Sequence, residues 1–282
     1  MTRPPPQRIA VECTLAPSIR QPGAALAAEP CVTEPWFWPI ALGVLGAVFG
    51  SFIATLVIRW PQGRSVLRGR SHCDACDVTL GPRDLIPLVG AAAARGRCRH
   101  CAAPIDPRHW QIELAALCIG VVAGLVVPAA TALAGAVFGW LLLALAALDI
   151  DCFWLPDRLT ALLALAGLAS GLAGVDPPLP DRLIGGLAGF GTLWLIGSGY
   201  RALRGREGLG GGDPKLFGAI GLWLGWRMLP AIVLLAALTG LAFVLVAMVA
   251  GRAAKLDDRM PFGALLAIAA YPAWLFLLGS GA

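Results

Sequence analysis

Residues 129–157 read AATALAGAVFGWLLLALAALDIDCFWLPD. From Ala129 to Leu148 the run carries no charge, and a helix needs about 20 apolar residues to cross the hydrocarbon of a bilayer. Asp149, Asp151 and Asp157 then arrive together. The stretch therefore predicts a membrane span whose last turn opens onto carboxylates. Acids near a membrane are costly and tend to mark a working site.

The rest of the chain repeats the apolar pattern. Of 282 residues, 58% are hydrophobic and 14% charged, with mean hydropathy +0.75. A soluble domain carries about 25% charged residues, so a soluble globular enzyme and a disordered chain are both excluded. Apolar segments fall at roughly 36–58, 109–127, 129–148, 159–175, 183–200, 215–229, 230–250 and 261–279. The expected class is an all-α polytopic membrane protein with about eight transmembrane helices, lipid around it and a small cytoplasmic loop domain. Residues 1–35, polar and Pro-rich, read as a flexible extension without a cleavable signal peptide. Residues 36–58 form the first transmembrane helix, 59–108 the loop domain, and 109–282 a core of about seven helices. No internal repeat is evident.

Charge placement orients the chain. With the N-terminus outside, the loops 59–108, 149–158, 201–215 and 251–260 hold 17 of the 22 Lys and Arg. The exceptions are Arg3, Arg8, Arg20, Arg182 and Arg227. This bias follows the positive-inside rule and places both ends outside. It also accounts for the +5 net charge without a nucleic-acid partner. Trp36, Trp38, Trp60 and Trp110 suit an interfacial belt, and Gly185, Gly186, Gly189 and Gly191 suit close helix packing.

The longest predicted cytoplasmic loop contains Cys73-Asp-Ala-Cys76 and Cys98-Arg-His-Cys101, separated by 21 residues. Two C-x2-C pairs suit a four-thiolate zinc site, because each tight turn offers two sulfurs to one ion. A loop with so little apolar content gains folding energy from the metal. Disulfides or unliganded thiols are the alternatives, and a cytoplasmic position disfavours the former. His72 and His100 flank the pairs as substitute ligands. Cys118 is expected to pack inside a span, Cys152 to lie in a cytoplasmic loop, and Cys13 and Cys31 to lie outside.

Asp213 follows Gly208-Leu-Gly210-Gly211-Gly212 and precedes Pro214 and Lys215. It falls at the same predicted face as Asp149. Two carboxylates at one depth suit aspartyl protease chemistry, in which like charges at close range share a proton. The structural alternatives are a helix cap or an ion pair, with Asp213 as an N-cap. A phosphate-cradling loop is excluded, since no Gly-Lys-Ser or Gly-Lys-Thr follows the glycines.

Together these residues resemble the type IV prepilin peptidases, the prepilin leader peptidase/N-methyltransferase family of GxGD-type membrane aspartyl proteases. The resemblance runs from about Gly50 to Gly263. It comprises Gly50-Ser51-Phe52 with Arg59 and Pro61, both Cys pairs, Asp84-Leu-Ile-Pro87, Arg95-Gly96-Arg97-Cys98 and Glu113-Leu114. It continues through the Asp149 stretch with Leu155-Pro156-Asp157, Gly210-Gly211-Gly212-Asp213 with Lys215-Leu216, and Pro261-Phe262-Gly263. It implies catalytic aspartates at Asp149 and Asp213, with Asp151 and Asp157 in reserve, and zinc at Cys73, Cys76, Cys98 and Cys101. It further implies a bacterial inner-membrane enzyme with its active site toward the cytoplasm. Such an enzyme cuts the basic leader from type IV prepilins or type II secretion pseudopilins, then N-methylates the new terminus with S-adenosylmethionine. Asp151, Asp157 and Glu207 are candidates to attract the leader. No glycine-rich nucleotide loop locates the S-adenosylmethionine pocket.

Three positions depart from the family pattern: Ala54 where Asn is common, Val89-Gly90 where Ser-Trp is common, and His72 where Arg is frequent. All lie in the half associated with methylation, and the protease residues are intact. A proton-coupled transporter would need its carboxylates near the bilayer centre. A zinc-bearing assembly factor or methyltransferase with a silent protease would not need an intact aspartate pair.

Overall fold

Every apolar segment becomes a helix. The computed structural model describes residues 35–66, 71–127, 129–206, 208–250 and 260–279. Cys13, Cys31 and Glu207 lie outside them. The helices are α1 (Phe37–Arg59), α2 (Val89–Ala93), α3 (Arg108–Val126), α4 (Ala129–Cys152), α5 (Asp157–Leu172), α6 (Leu179–Arg204), α7 (Asp213–Leu224), α8 (Leu229–Val249) and α9 (Phe262–Gly279). Short 3-10 turns sit at Trp60–Gln62 and Trp226–Met228. No strand occurs among the described residues, only isolated bridges between His72 and Thr79 and between Arg97 and Pro104.

Proline and glycine set the boundaries. Pro180, Pro214 and Pro230 stand in the first turns of α6, α7 and α8, where the missing N–H costs nothing. Gly225 ends α7 at a positive φ of 70°, which favours glycine. The apolar run around Pro230 is thereby divided into two helices, α7 and α8, joined by the short turn Trp226–Met228.

Among the described residues, six helices are long and apolar enough to cross a membrane: α1, α3, α4, α6, α8 and α9. The other two, α5 and α7, have 16 and 12 residues. At a rise of about 1.5 Å per residue, α7 is only about 18 Å long. Its surroundings explain why that suffices. Leu216, Phe217, Ala219, Ile220, Trp223 and Leu224 are all buried, so α7 is enclosed by protein on nearly every face. A helix inside a bundle need not span lipid. The figure of about eight spans therefore resolves into six membrane-length helices and two shorter ones.

Glycine seams bring backbones together. A Cβ on Gly46 would fall 2.3 Å from the Ala116 carbonyl oxygen, and one on Gly120 would fall 2.1 Å from that of Leu42. That contact joins α1 to α3. Gly185 and Gly221 form the matching seam between α6 and α7, each blocking any side chain on the other. Gly191, by contrast, has nothing near it. An aromatic cluster fixes α4, α7 and α9, with Phe138 stacked on Trp223 at 4.7 Å and Trp274 against Phe138 at 6.4 Å.

Arg182 is fully buried and is a pin, not an exception to the charge rule. Its guanidinium donates to the carbonyls of Gly167, Val175, Asp176, Pro177 and Leu222 and to Ser170 Oγ, at 2.7–3.1 Å. It ties α5 and the α5–α6 turn to the end of α7. Truncating it strands several buried carbonyls, each expensive to leave unmade. Arg182→Met is expected to destabilise the fold by about 3 kcal/mol or more, read as a fall in unfolding temperature in detergent. Arg182→Lys should recover little, lacking the planar fork. An unchanged unfolding temperature in Arg182→Met would remove the pin.

Candidate active site

Asp149 lies in the last turn of α4 and is only 5% exposed. A carboxylate there opposes its own helix dipole, so it does nothing for α4. Its Oδ2 instead accepts the Ala264 N–H at 2.8 Å. Ala264 stands in the first turn of α9, where backbone N–H groups lack partners. Asp149 thus closes the N-terminus of a different helix.

Asp213 is the first residue of α7 and equally buried. Its Oδ2 accepts the Gly210 N–H at 3.0 Å. The N-cap residue is Gly212, and it makes no side-chain cap bond, so Asp213 is not the N-cap of α7. Its carboxylate turns back to the glycine loop. Asp149 thus contacts the positive end of α9, Asp213 begins α7, and each accepts a backbone N–H, which offsets part of its burial cost.

Gly263 joins the two. A Cβ there would lie 3.0 Å from Asp149 Oδ2 and 3.1 Å from Asp213 Oδ1. The two oxygens are thus no more than about twice that distance apart. Leu155 wedges in beside them, against Gly263 at 2.7 Å and Gly212 at 2.8 Å from where a Cβ would stand. An open groove lined by Trp60, Trp154, Leu155, Pro156, Asp157 and Arg158 lies alongside. Neither Gly263 nor Leu155 had a chemical role in the sequence reading. Their signals were the motif pieces Leu155-Pro156-Asp157 and Pro261-Phe262-Gly263.

The reserve acids are engaged elsewhere. Asp151 pairs with Arg108 at 2.7 Å and Asp157 with Lys215 at 2.7 Å. Each has its cation within the chain, so its charge is already offset. Arg108 also holds Asp106, and this bond keeps the Asp106 carboxyl below the usual carboxylate range.

The four cysteines converge. The Sγ atoms of Cys73, Cys76, Cys98 and Cys101 all lie within 4.8 Å of one another. Cys73 to Cys101 is 3.9 Å and Cys76 to Cys98 is 4.0 Å. A disulfide needs about 2.05 Å, whereas four thiolates about 2.3 Å from one metal ion have edges near 3.8 Å. The donor set fits a tetrahedral metal. Backbone N–H groups of Cys101 and His100 lower the Cys98 thiol to about 6, whereas hydrogen bonds with the neighbouring thiols help push the Cys76 thiol up to about 12. His72 faces Asp77, and neither it nor His100 joins the cluster. Cys118 points outward instead of packing, and Cys152 is likewise an exposed free thiol.

The cysteine turns repeat each other, which the sequence reading missed. In the first, the Cys73 N–H meets the Val78 carbonyl and the Asp77 N–H meets that of Cys73. In the second, Cys98 meets Ala103 and Ala102 meets Cys98 in the same way. Asp77 and Ala102 are both left-handed, at φ 56° and 57°. The sequences between them share little beyond the cysteines, so only backbone geometry reveals the repeat.

Comparison with known proteins gives two family matches. Residues 44–127 match the bacterial peptidase A24 N-terminal domain, and residues 136–245 match the type IV leader peptidase family. The chain is 40% identical over 251 residues to a prepilin leader peptidase/N-methyltransferase of Burkholderia pseudomallei (strain K96243), covering 79% of this chain and 81% of that protein. It is 39% identical over 219 residues to one from Klebsiella pneumoniae, covering 75% and 96%. It is 39% identical over 270 residues to one from Aeromonas salmonicida (strain A449), covering 86% and 91%. No solved structure matches.

Losing one thiolate should cost the cluster its metal. Metal analysis of purified protein is expected to find about one ion per chain, with Cys73→Ser retaining little of it. The loop 71–106 should then become sensitive to protease while the helices stay intact. Full metal content in Cys73→Ser would contradict the four-thiolate arrangement.

Proposed function

The chain belongs to the type IV leader peptidase family, and from that premise we propose that Asp149 and Asp213 are the catalytic pair that hydrolyses the prepilin leader. The enzyme is a multi-pass membrane aspartic peptidase acting on prepilins and also an N-methyltransferase. Its substrates are type IV prepilins or the related pseudopilins of type II secretion. The observation that carries the catalytic assignment is Gly263, where a Cβ would fall 3.0 Å from Asp149 Oδ2 and 3.1 Å from Asp213 Oδ1, so that the two carboxylates converge on one point beside Leu155.

In the proposed mechanism the pair holds one proton, because two carboxylates this close do not both ionise easily. The ionised partner takes a proton from water as it attacks the scissile carbonyl. The protonated partner donates its hydrogen bond to the carbonyl oxygen, where negative charge develops. Collapse of the tetrahedral intermediate breaks the C–N bond, and the leaving amine takes a proton from the pair. The products are the leader's carboxylate and the new amino terminus.

Both acids lie at helix ends and not in the middle of long spans. This favours hydrolysis at a membrane face over a proton relay through the bilayer. The charge bias of the loops makes that face cytoplasmic, in the bacterial inner membrane. A prepilin there would lay its apolar helix among the spans while its basic leader stays in water. Cys73, Cys76, Cys98 and Cys101 hold zinc, which supplies folding energy to a loop that lacks a core. S-adenosylmethionine supplies the methyl group for the second activity.

Asp149→Asn and Asp213→Asn should each lower leader cleavage by about 10²–10⁴-fold or more, with zinc content and insertion unchanged. Gly263→Ala should lower it on the order of 10²-fold by displacing both carboxylates. The size shift of a co-expressed prepilin checks all three, and full cleavage by either Asn variant excludes that residue from the pair.

A further inference from the structure

A cavity of about 360 Å³ lies between the cysteine turns, α2 and the facing ends of α1 and α3. It is separate from the aspartate pair and from the groove beside Leu155. Its volume falls in the range of small-molecule sites, about 300–1,000 Å³. The walls mix apolar side chains such as Leu85 and Ile86 with Thr55, His109, Arg59 and Glu113.

Glu113 is the unusual member. It is only 6% exposed, and no ion pair among the described residues neutralises it. One oxygen, Oε2, accepts the Leu88 N–H at 2.7 Å. Leu88 makes that bond from φ 61°, a conformation that costs a non-glycine residue energy. The chain thus strains a loop to hold this carboxylate in place. A buried carboxylate with no ion pair among the described residues is costly, and a cationic ligand would offset that cost.

The other charges on the walls narrow the ligand. Asp74, Asp84 and Asp106 are paired with Arg64, Arg99 and Arg108, and Arg59 and Arg97 stand on the same walls and can take a carboxylate. A molecule with cationic groups, a carboxylate and a flat apolar ring system matches this set. The cavity is also tied to the cleavage site. Asp106 lines it, and Arg108 bridges Asp106 to Asp151, two residues beyond Asp149.

We propose that this cavity binds S-adenosylmethionine, with Glu113 as the anionic wall facing its cationic end. The proposal rests on the reading of the chain as an N-methyltransferase. The departures Val89 and Gly90 directly follow Leu88, whose N–H holds Glu113, so the pocket keeps its carboxylate despite them.

The test is equilibrium binding of S-adenosylmethionine to the full-length, zinc-loaded protein in detergent, read by calorimetry and independent of turnover. Glu113→Gln should weaken binding about tenfold or more, the loss expected for a charged hydrogen bond, with zinc content and unfolding temperature retained. Ala91→Phe, which fills the cavity without altering a charge, should weaken it comparably and covers the case in which Glu113→Gln fails to fold. Wild-type binding that survives in both variants places the cofactor elsewhere and overturns the proposal, leaving the methyltransferase reading standing. A wild-type protein that binds neither S-adenosylmethionine nor S-adenosylhomocysteine overturns that reading and the site with it.

Discussion

Two carboxylates are held out of water at one point, and the helical core is arranged around that cost. Asp149 is stabilised by an N–H at the start of α9, and Asp213 by its place at the start of α7. Three helix ends must therefore meet with little error. The ring cluster of Phe138, Trp223 and Trp274 packs the same three helices together deeper in the bundle. Gly263 is the point of closest approach, and a single methyl group there would press on both acids.

The brevity of α7 follows from this demand. A helix that begins at a buried carboxylate and is wrapped by α5, α6 and α9 has no lipid to span. It needs internal partners instead, and Arg182 supplies them at its far end by donating to the Leu222 carbonyl. Backbone groups within a membrane protein must be satisfied from inside. Here one arginine serves carbonyls from α5, the α5–α6 turn and α7 together.

Much of the architecture was legible in the sequence because its signals are local. Apolar runs, helix-starting prolines and paired cysteines each act over a few residues, and they marked all eight apolar helices and the four-cysteine cluster. The Asp149 and Asp213 pairing was legible only as a shared depth. What stayed hidden depends on contacts between distant segments. Composition alone did not separate α7 from a spanning helix, since enclosure by neighbours and not hydropathy sets its length. Arg182 read as a stray outside charge because its acceptors are carbonyls, which no side-chain pattern announces. Cys118 read as packing because its neighbours in sequence are apolar, but its face of α3 looks outward. Glu113 read as one piece of a motif, and only the cavity gives its charge a purpose.

The aspartate pair is tested most directly by the pH dependence of kcat/KM for leader cleavage by the purified enzyme. A pair that must hold one proton predicts a bell-shaped profile, falling on the acid side as the second carboxylate is protonated and on the basic side as the shared proton is lost. A rate that only rises with pH, with no descending limb attributable to a carboxyl group, would contradict the shared-proton account.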